Sequence, residues 1–189
     1  MLYKKKSAKI SAYEALIKYD IASLPVPVSY NPKEIKIFTL QFLAGYHGQD
    51  VREYYKIWGH RGFITYEPVY NRYIIFINGE DSEPLRRWCI SLAIGYIENH
   101  KVHKKYGIPI SNSNKYITDF TYVYTCPDCI LERDGIISTE KIASVCKIPF
   151  REAREKSKRL KMFSGIRAPK ELHIEKIICN IFKKVSIEK

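Results

Sequence analysis

Two groups of residues in this sequence have types and spacings that could do chemistry. The first is Cys126-Pro127-Asp128-Cys129, a CxxC pair, with His100 and His103 upstream. Two thiolates and two imidazoles are the donor set of a tetrahedral zinc site. The spacing is unusual for one, because 22 residues separate the histidine pair from the cysteine pair. A CxxC can also exchange disulfides, but no thioredoxin-like βαβ pattern surrounds this one. The plainer reading is two ordinary thiols at a helix end.

The second group is basic. Lys147, Arg151, Arg154, Lys158 and Arg159 fall in a stretch, Thr139 to Leu160, that reads as helix, tight turn, helix. The turn is Lys147-Ile148-Pro149, and Ile142, Ala143, Ile148, Ala153 and Leu160 are the expected contacts between the helices. From Arg133 to Lys189 there are 15 Lys+Arg against 7 Asp+Glu, which is +8 of the chain's +12. Cations gathered on a recognition-like helix are the electrostatic footprint of nucleic-acid binding. Glu152 and Glu155 interleave with them, so the same helix also reads as a solvated face laced with i,i+4 ion pairs.

The elements that must position these residues follow from pattern. Residues 1–23 read as a lead-in helix with Tyr13, Leu16, Ile17 and Ile21 at helical spacing, stopped by Leu24-Pro25-Val26-Pro27. Asn31-Pro32 predicts a second helix from Lys33, carrying Ile35, Phe38, Leu40, Phe42 and Leu43. Asp50 is a good N-cap for a third helix through Trp58, ended by Gly59. Residues 63–78 are aromatic and β-branched around Pro68 and Asn71, which predicts a β-hairpin. Residues 84–99 form the clearest helix, with Leu85, Trp88, Cys89, Leu92, Ala93, Tyr96 and Ile97 on one stripe. Residues 101–113 are polar loop, and 115–126 prefer strand by local propensity. Helices are expected at about 138–146, 150–162 and 170–184.

Composition bounds the rest. The chain has 189 residues, 46% of them hydrophobic, enough for a packed core. Five irregularly spaced cysteines argue against a disulfide framework. The opening Met1-Leu2-Tyr3-Lys4-Lys5-Lys6 has no apolar stretch behind it, and no apolar run approaches a bilayer span. The expectation is a cytoplasmic protein without a membrane role.

Several phrases stand in a telling order. Ser23-Leu24-Pro25-Val26 is followed by Tyr73-Ile74-Ile75-Phe76-Ile77-Asn78 and by Ser82-Glu83-Pro84-Leu85-Arg86-Arg87-Trp88-Cys89-Ile90-Ser91. Asp119-Phe120-Thr121 then closes at Cys126-Pro127, ahead of a last phrase from Ile137 to Ala153. Together they resemble the ImmA/IrrE family of zinc metallopeptidases over nearly the whole chain. The resemblance implies an α+β fold: a mainly helical zincin-like domain with a small antiparallel β-sheet and a C-terminal helix-turn-helix-like segment. It implies a (pseudo)peptidase domain over 1–132 and a basic helical segment over 133–189. It also implies that 115–126 is a helix, against local propensity, and we adopt that reading.

The family's peptidase helix carries two histidines four apart with a glutamate after the first, so that both imidazoles face one metal and the carboxylate activates its water. Aligned on Arg87-Trp88 and Gly95, those histidines fall at Leu92 and Tyr96, the glutamate at Ala93, and the third ligand at Tyr116. None of the four can play its part. Asn99-His100 resembles the family's trailing histidine, which is not a ligand. Cys126 lies ten residues past Tyr116, about 15 Å along a helix, which carries it away from His100. The expectation is a catalytically inactive chain without a cofactor, its former metal cavity filled by core side chains. It would act as a regulator by binding a protein partner, such as a helix-turn-helix repressor of a phage or mobile element. The 15 Tyr, 8 Phe and 2 Trp suit an interaction surface. Alternatives are a DNA-binding regulator using the 138–162 helix pair, an active zinc peptidase with tyrosine ligands, and a structural domain of a larger assembly.

Overall fold

A computed structural model describes residues 7–27, 34–99, 107–163 and 169–182. The fold is α+β, mainly helical, with one small mixed sheet. The chain forms two compact units, one of residues 28–118 and the other joining 1–27 to 119–189. The N-terminal helix and residues 119–132 are grouped with the C-terminal segment.

In the unit of residues 28–118 the sheet comes from four segments: β1 (Ile35–Thr39), β2 (Phe63–Glu67), β3 (Arg72–Ile77) and β4 (Ile108–Pro109). Their order is β1-β3-β2-β4. The expected hairpin is β2–β3, antiparallel, with Phe63 opposite Phe76 and Glu67 opposite Arg72. Its cross-strand pairs explain its register. The Phe63 and Phe76 rings stack at 4.8 Å, Tyr66 and Tyr73 meet at 5.2 Å, and Arg72 reaches Glu67 at 2.5 Å.

The sheet is not the purely antiparallel one expected. β1 runs parallel to β3, pairing Ile35 with Tyr73 through to Thr39 with Ile77. The helix predicted from Lys33 through Leu43 is therefore corrected. Residues 35–39 are strand, and the helix α2 (Leu40–His47) begins only after them. Ile35-Lys36-Ile37-Phe38-Thr39 suits a pleated surface, and Thr39 ends it by capping α2, its hydroxyl accepting from the Phe42 amide at 3.0 Å. The proposed helix start at Asn31-Pro32 lies outside the described residues. α3 (Val51–Trp58) forms as expected, capped by Asp50 and ended by Gly59. α2 and α3 close over the sheet around Leu40, Ala44, Tyr54, Phe63 and Phe76.

α4 (Glu83–Glu98) follows, with Pro84 in its first turn. Every residue from Arg87 to Ile97 is buried. The predicted apolar stripe is thus too narrow, because Ile90, Ser91, Ile94 and Gly95 lie outside it and are buried as well. A helix buried on all sides is a core element. α5 (Lys115–Thr125) is a helix despite its β-branched and aromatic content. Every residue from Phe120 to Cys126 is buried, and the Thr125 hydroxyl is satisfied by donating to the Thr121 carbonyl at 2.7 Å. Tertiary burial overrides the local β preference here.

The unit that joins the chain's two ends holds α1 (Ala8–Lys18), α5 from Asp119 onward, α6 (Asp128–Arg133), α7 (Thr139–Cys146), α8 (Phe150–Phe163) and α9 (Pro169–Ile181). α6 is an added short helix after Pro127. α7 starts on the Ser138 cap, and Lys147 makes the turn to α8 at φ 46. Among the described residues no helix is long and apolar enough to cross a membrane.

Gly62 at the start of β2 has φ +100, and a Cβ there would sit 1.8 Å from the Phe76 carbonyl oxygen. Gly62→Ala is expected to cost about 2–4 kcal/mol in chemical denaturation, combining backbone strain with overpacking. Gly45→Ala, in α2 with open space around its Cβ, is expected to gain about 0.5–1 kcal/mol instead.

Candidate functional site

The positions that the resemblance aligns with metal ligands and a base fall on Leu92, Ala93, Tyr96 and Tyr116. Leu92 and Ala93 are 0% exposed and Tyr96 is 6% exposed. The Tyr96 hydroxyl donates to the Ser111 carbonyl at 3.3 Å, inside the same unit. Tyr116 is half-buried near the start of α5. Among the described residues no group of three or more His, Cys, Asp or Glu could hold a metal ion. His100 and His103 lie outside the described residues.

The two thiols of the CxxC face different neighbours. Cys126, 0% exposed, contacts the Cys146 thiol at the end of α7. Burial would raise its pKa, but the Cys146 contact, the Lys156 charge and Thr125 together hold it below the ordinary thiol value. Cys129 contacts Tyr13 and Cys179, and burial pushes its thiol up to about 12.

Asp128, between those cysteines, has a role that the sequence did not show. It pairs with Lys156 of α8 and lies 3.4 Å from Lys9 of α1. Lys156 is 2% exposed and also donates to the Tyr122 carbonyl at 3.2 Å. Lys9 reaches Glu175 of α9 at 2.9 Å, and Tyr13 donates to that same carboxylate at 3.3 Å. Burial would raise the Asp128 carboxyl, but Lys156 and Lys9 hold it below its ordinary value. Burial would lower Lys9, yet Glu175, Asp128 and Glu171 raise it. Tyr122 donates to Glu152 at 2.5 Å, and burial, then that carboxylate, raise its hydroxyl well above the usual range. A cavity of about 340 Å³ opens over this network, lined by Lys9, Asp119, Asp128, Glu132, Lys156 and Arg159 together with apolar side chains such as Val123 and Leu160.

The network sorts the charges of α8. Glu152 and Lys156 are buried. Arg159, expected on the nucleic-acid face, is half-buried instead: it pairs with Asp119 at 2.6 Å and stacks over the Tyr122 ring at 4.3 Å. The other four expected residues, Lys147 at the turn and Arg151, Arg154 and Lys158 on α8, are exposed, as is Lys161. The spacing of three, four and three places Arg151, Arg154, Lys158 and Lys161 on one face of α8. Lys158 lies 4.0 Å from Glu155, and the Arg154 guanidinium lies 5.6 Å over the Phe150 ring.

The network residues Lys9, Tyr13, Asp128, Lys156 and Glu175 were missed because their partners are far apart in the chain. Tyr13 and Glu175 are separated by 162 positions. Comparison of the chain with protein-family models, curated proteins and solved structures finds no match.

Asp128→Ala leaves the buried Lys156 without its carboxylate and is expected to cost about 3–5 kcal/mol. Because Asp128 titrates below its ordinary value of 3.8 in the folded state, its stabilisation is present above that pH and lost as pH falls through the folded value. Melting temperature against pH should show this acid loss in the parent and a flatter acid limb in Asp128→Ala. Tyr122 has the opposite sign: its raised value contributes stability below its ordinary 10.0 that is lost as pH rises beyond it. Tyr122→Phe is expected to flatten the alkaline limb.

Proposed function

We propose that the chain is a non-hydrolytic regulator built on the ImmA/IrrE plan, which binds a protein partner rather than cleaving it. The observation that carries this reading is the chemistry of the former metal positions. Leu92 and Ala93 are wholly buried apolar side chains, and Tyr96 spends its hydroxyl on Ser111. A hydrolytic zinc needs three donors and a water, and a helix packed in this way supplies none of its own. Binding has surfaces to use. Phe42 is 56% exposed and Tyr46 79% exposed, one turn apart on α2, and Phe42 stacks on Phe38 at 5.2 Å. Exposed aromatic anchors of this kind commonly carry protein interfaces. The partner class that fits the resemblance is a helix-turn-helix repressor of a phage or mobile element.

Elemental analysis of the purified chain is expected to find far less than one zinc per chain, with a melt that chelator leaves unchanged. A repressor captured with it is expected at full length, and Phe42→Ser with Tyr46→Ser is expected to weaken capture at least tenfold. One tightly held zinc per chain with a chelator-sensitive melt, or a cleaved partner, overturns the reading.

A second reading, that α7 and α8 form a helix-turn-helix that binds DNA, has its own observation. Glu152 is buried against Tyr122, while Arg151, Arg154, Lys158 and Lys161 share an exposed face of α8 and Lys147 is exposed in the turn before it. Such a face would meet phosphates and release counterions. Affinity for duplex DNA is then expected to fall steeply with salt, and Arg151→Ala, Arg154→Ala and Lys158→Ala each to lower the log–log slope by about one. A slope unchanged in the triple variant excludes this reading.

A further inference from the structure

α6 and α9 place one cysteine each on a shared cleft of about 650 Å³. Cys129 is 6% exposed, whereas Cys179 is partly open to the cleft. The Cys179 sulfur lies 3.8 Å from the Cys129 carbonyl oxygen, and the two thiols are in hydrogen-bonding contact. The helices that carry them are already fixed to each other. The Arg133 guanidinium of α6 donates to the carbonyls of Cys179 and Phe182 at 2.9 and 3.0 Å, holding the end of α9. The pair Cys126 and Cys146 is also in contact, but both residues are 0% exposed, so an oxidant does not reach them.

We propose that Cys129 and Cys179 are a redox modification site that closes to a reversible disulfide when the protein meets a hydroperoxide. The Cys179 sulfur attacks the O–O bond, which breaks. One oxygen stays on sulfur as a sulfenic acid, and the other leaves as water or alcohol. The Cys129 sulfur then attacks the Cys179 sulfur. The S–S bond forms, the S–O bond breaks, and the hydroxide leaves as water with the Cys129 proton. Two electrons pass from the thiols to the peroxide. Burial keeps Cys129 protonated at neutral pH, which suits it to resolve the sulfenic acid rather than to meet the peroxide first.

The two cysteines are 50 positions apart, and the ring they close contains all of α7 and α8. Tying such a long loop removes conformational freedom from the unfolded chain. The disulfide therefore clamps the unit that presents the basic helix face, whichever partner that face meets.

The test uses the full chain, reduced, freed of reductant and treated with hydrogen peroxide. Peptide mapping without reductant is expected to show one linked pair, Cys129 with Cys179, and dithiothreitol to reverse it. The oxidised protein is expected to melt several degrees higher. Cys179→Ser is expected to lose both the link and the shift, and Cys126→Ser to keep both. A link between Cys126 and Cys129, disulfides only between chains, or a Cys179 that runs on to sulfinic acid with Cys129 still free would each overturn the proposal. The parent protein alone decides among these outcomes, so the result does not depend on how well a variant folds.

Discussion

Lys156 sits almost wholly out of solvent, and an ammonium group is tolerated there only when its charge is matched and its donors are used. Asp128 supplies the match, and the Tyr122 carbonyl takes a further donor. Asp128 in turn is shared with Lys9, and Lys9 with Glu175. Four helices, α1, α6, α8 and α9, therefore meet through alternating charges. This chain of pairs makes the two ends of the sequence one compact unit. A buried ion pair adds little net stability over an apolar packing of the same shape, but it is intolerant of a missing partner. It favours the rotation of α8 that keeps Lys156 on Asp128, because another would leave a buried charge without its partner.

That rotation decides what α8 shows to solvent. With Lys156, Glu152 and Ala153 inward, Arg159 is drawn onto Asp119 and Tyr122. Arg151, Arg154, Lys158 and Lys161 are left on the opposite face. The helix carries six cations and two carboxylates, and the fold gathers four of those cations on one exposed face. The network and the basic face are thus two consequences of one constraint.

The other compact unit depends on apolar filling. α4 is enclosed over Arg87 to Ile97, with Leu92, Ala93 and Tyr96 among its buried side chains. Burying a leucine or isoleucine stabilises by roughly 1.5–3 kcal/mol, and apolar contacts of this kind hold the helix in place. The mixed sheet beside it takes its parallel strand from a segment whose apolar residues also satisfy a helical template. Ile35, Phe38, Leu40, Phe42 and Leu43 fit a helix by spacing. Only pairing with β3 and the Thr39 cap divide them into strand and helix.

Features set within a few residues were legible in the sequence. The Asp50 cap, the Gly59 stop, the hairpin expected within 63–78 and the turn at Lys147 all follow from side chains that act on their own backbone or a near neighbour. Residues 115–126 were read as helix only through the resemblance, because local propensity points to strand and burial reverses it. The tertiary structure alone decided which cations of α8 face outward, which thiols become neighbours, and that Asp128 anchors a buried network rather than sitting idle in a CxxC. Each of these depends on partners tens to more than a hundred positions away. Local spacing carries no information about such partners, because the chain between them can close in many ways and only packing selects one.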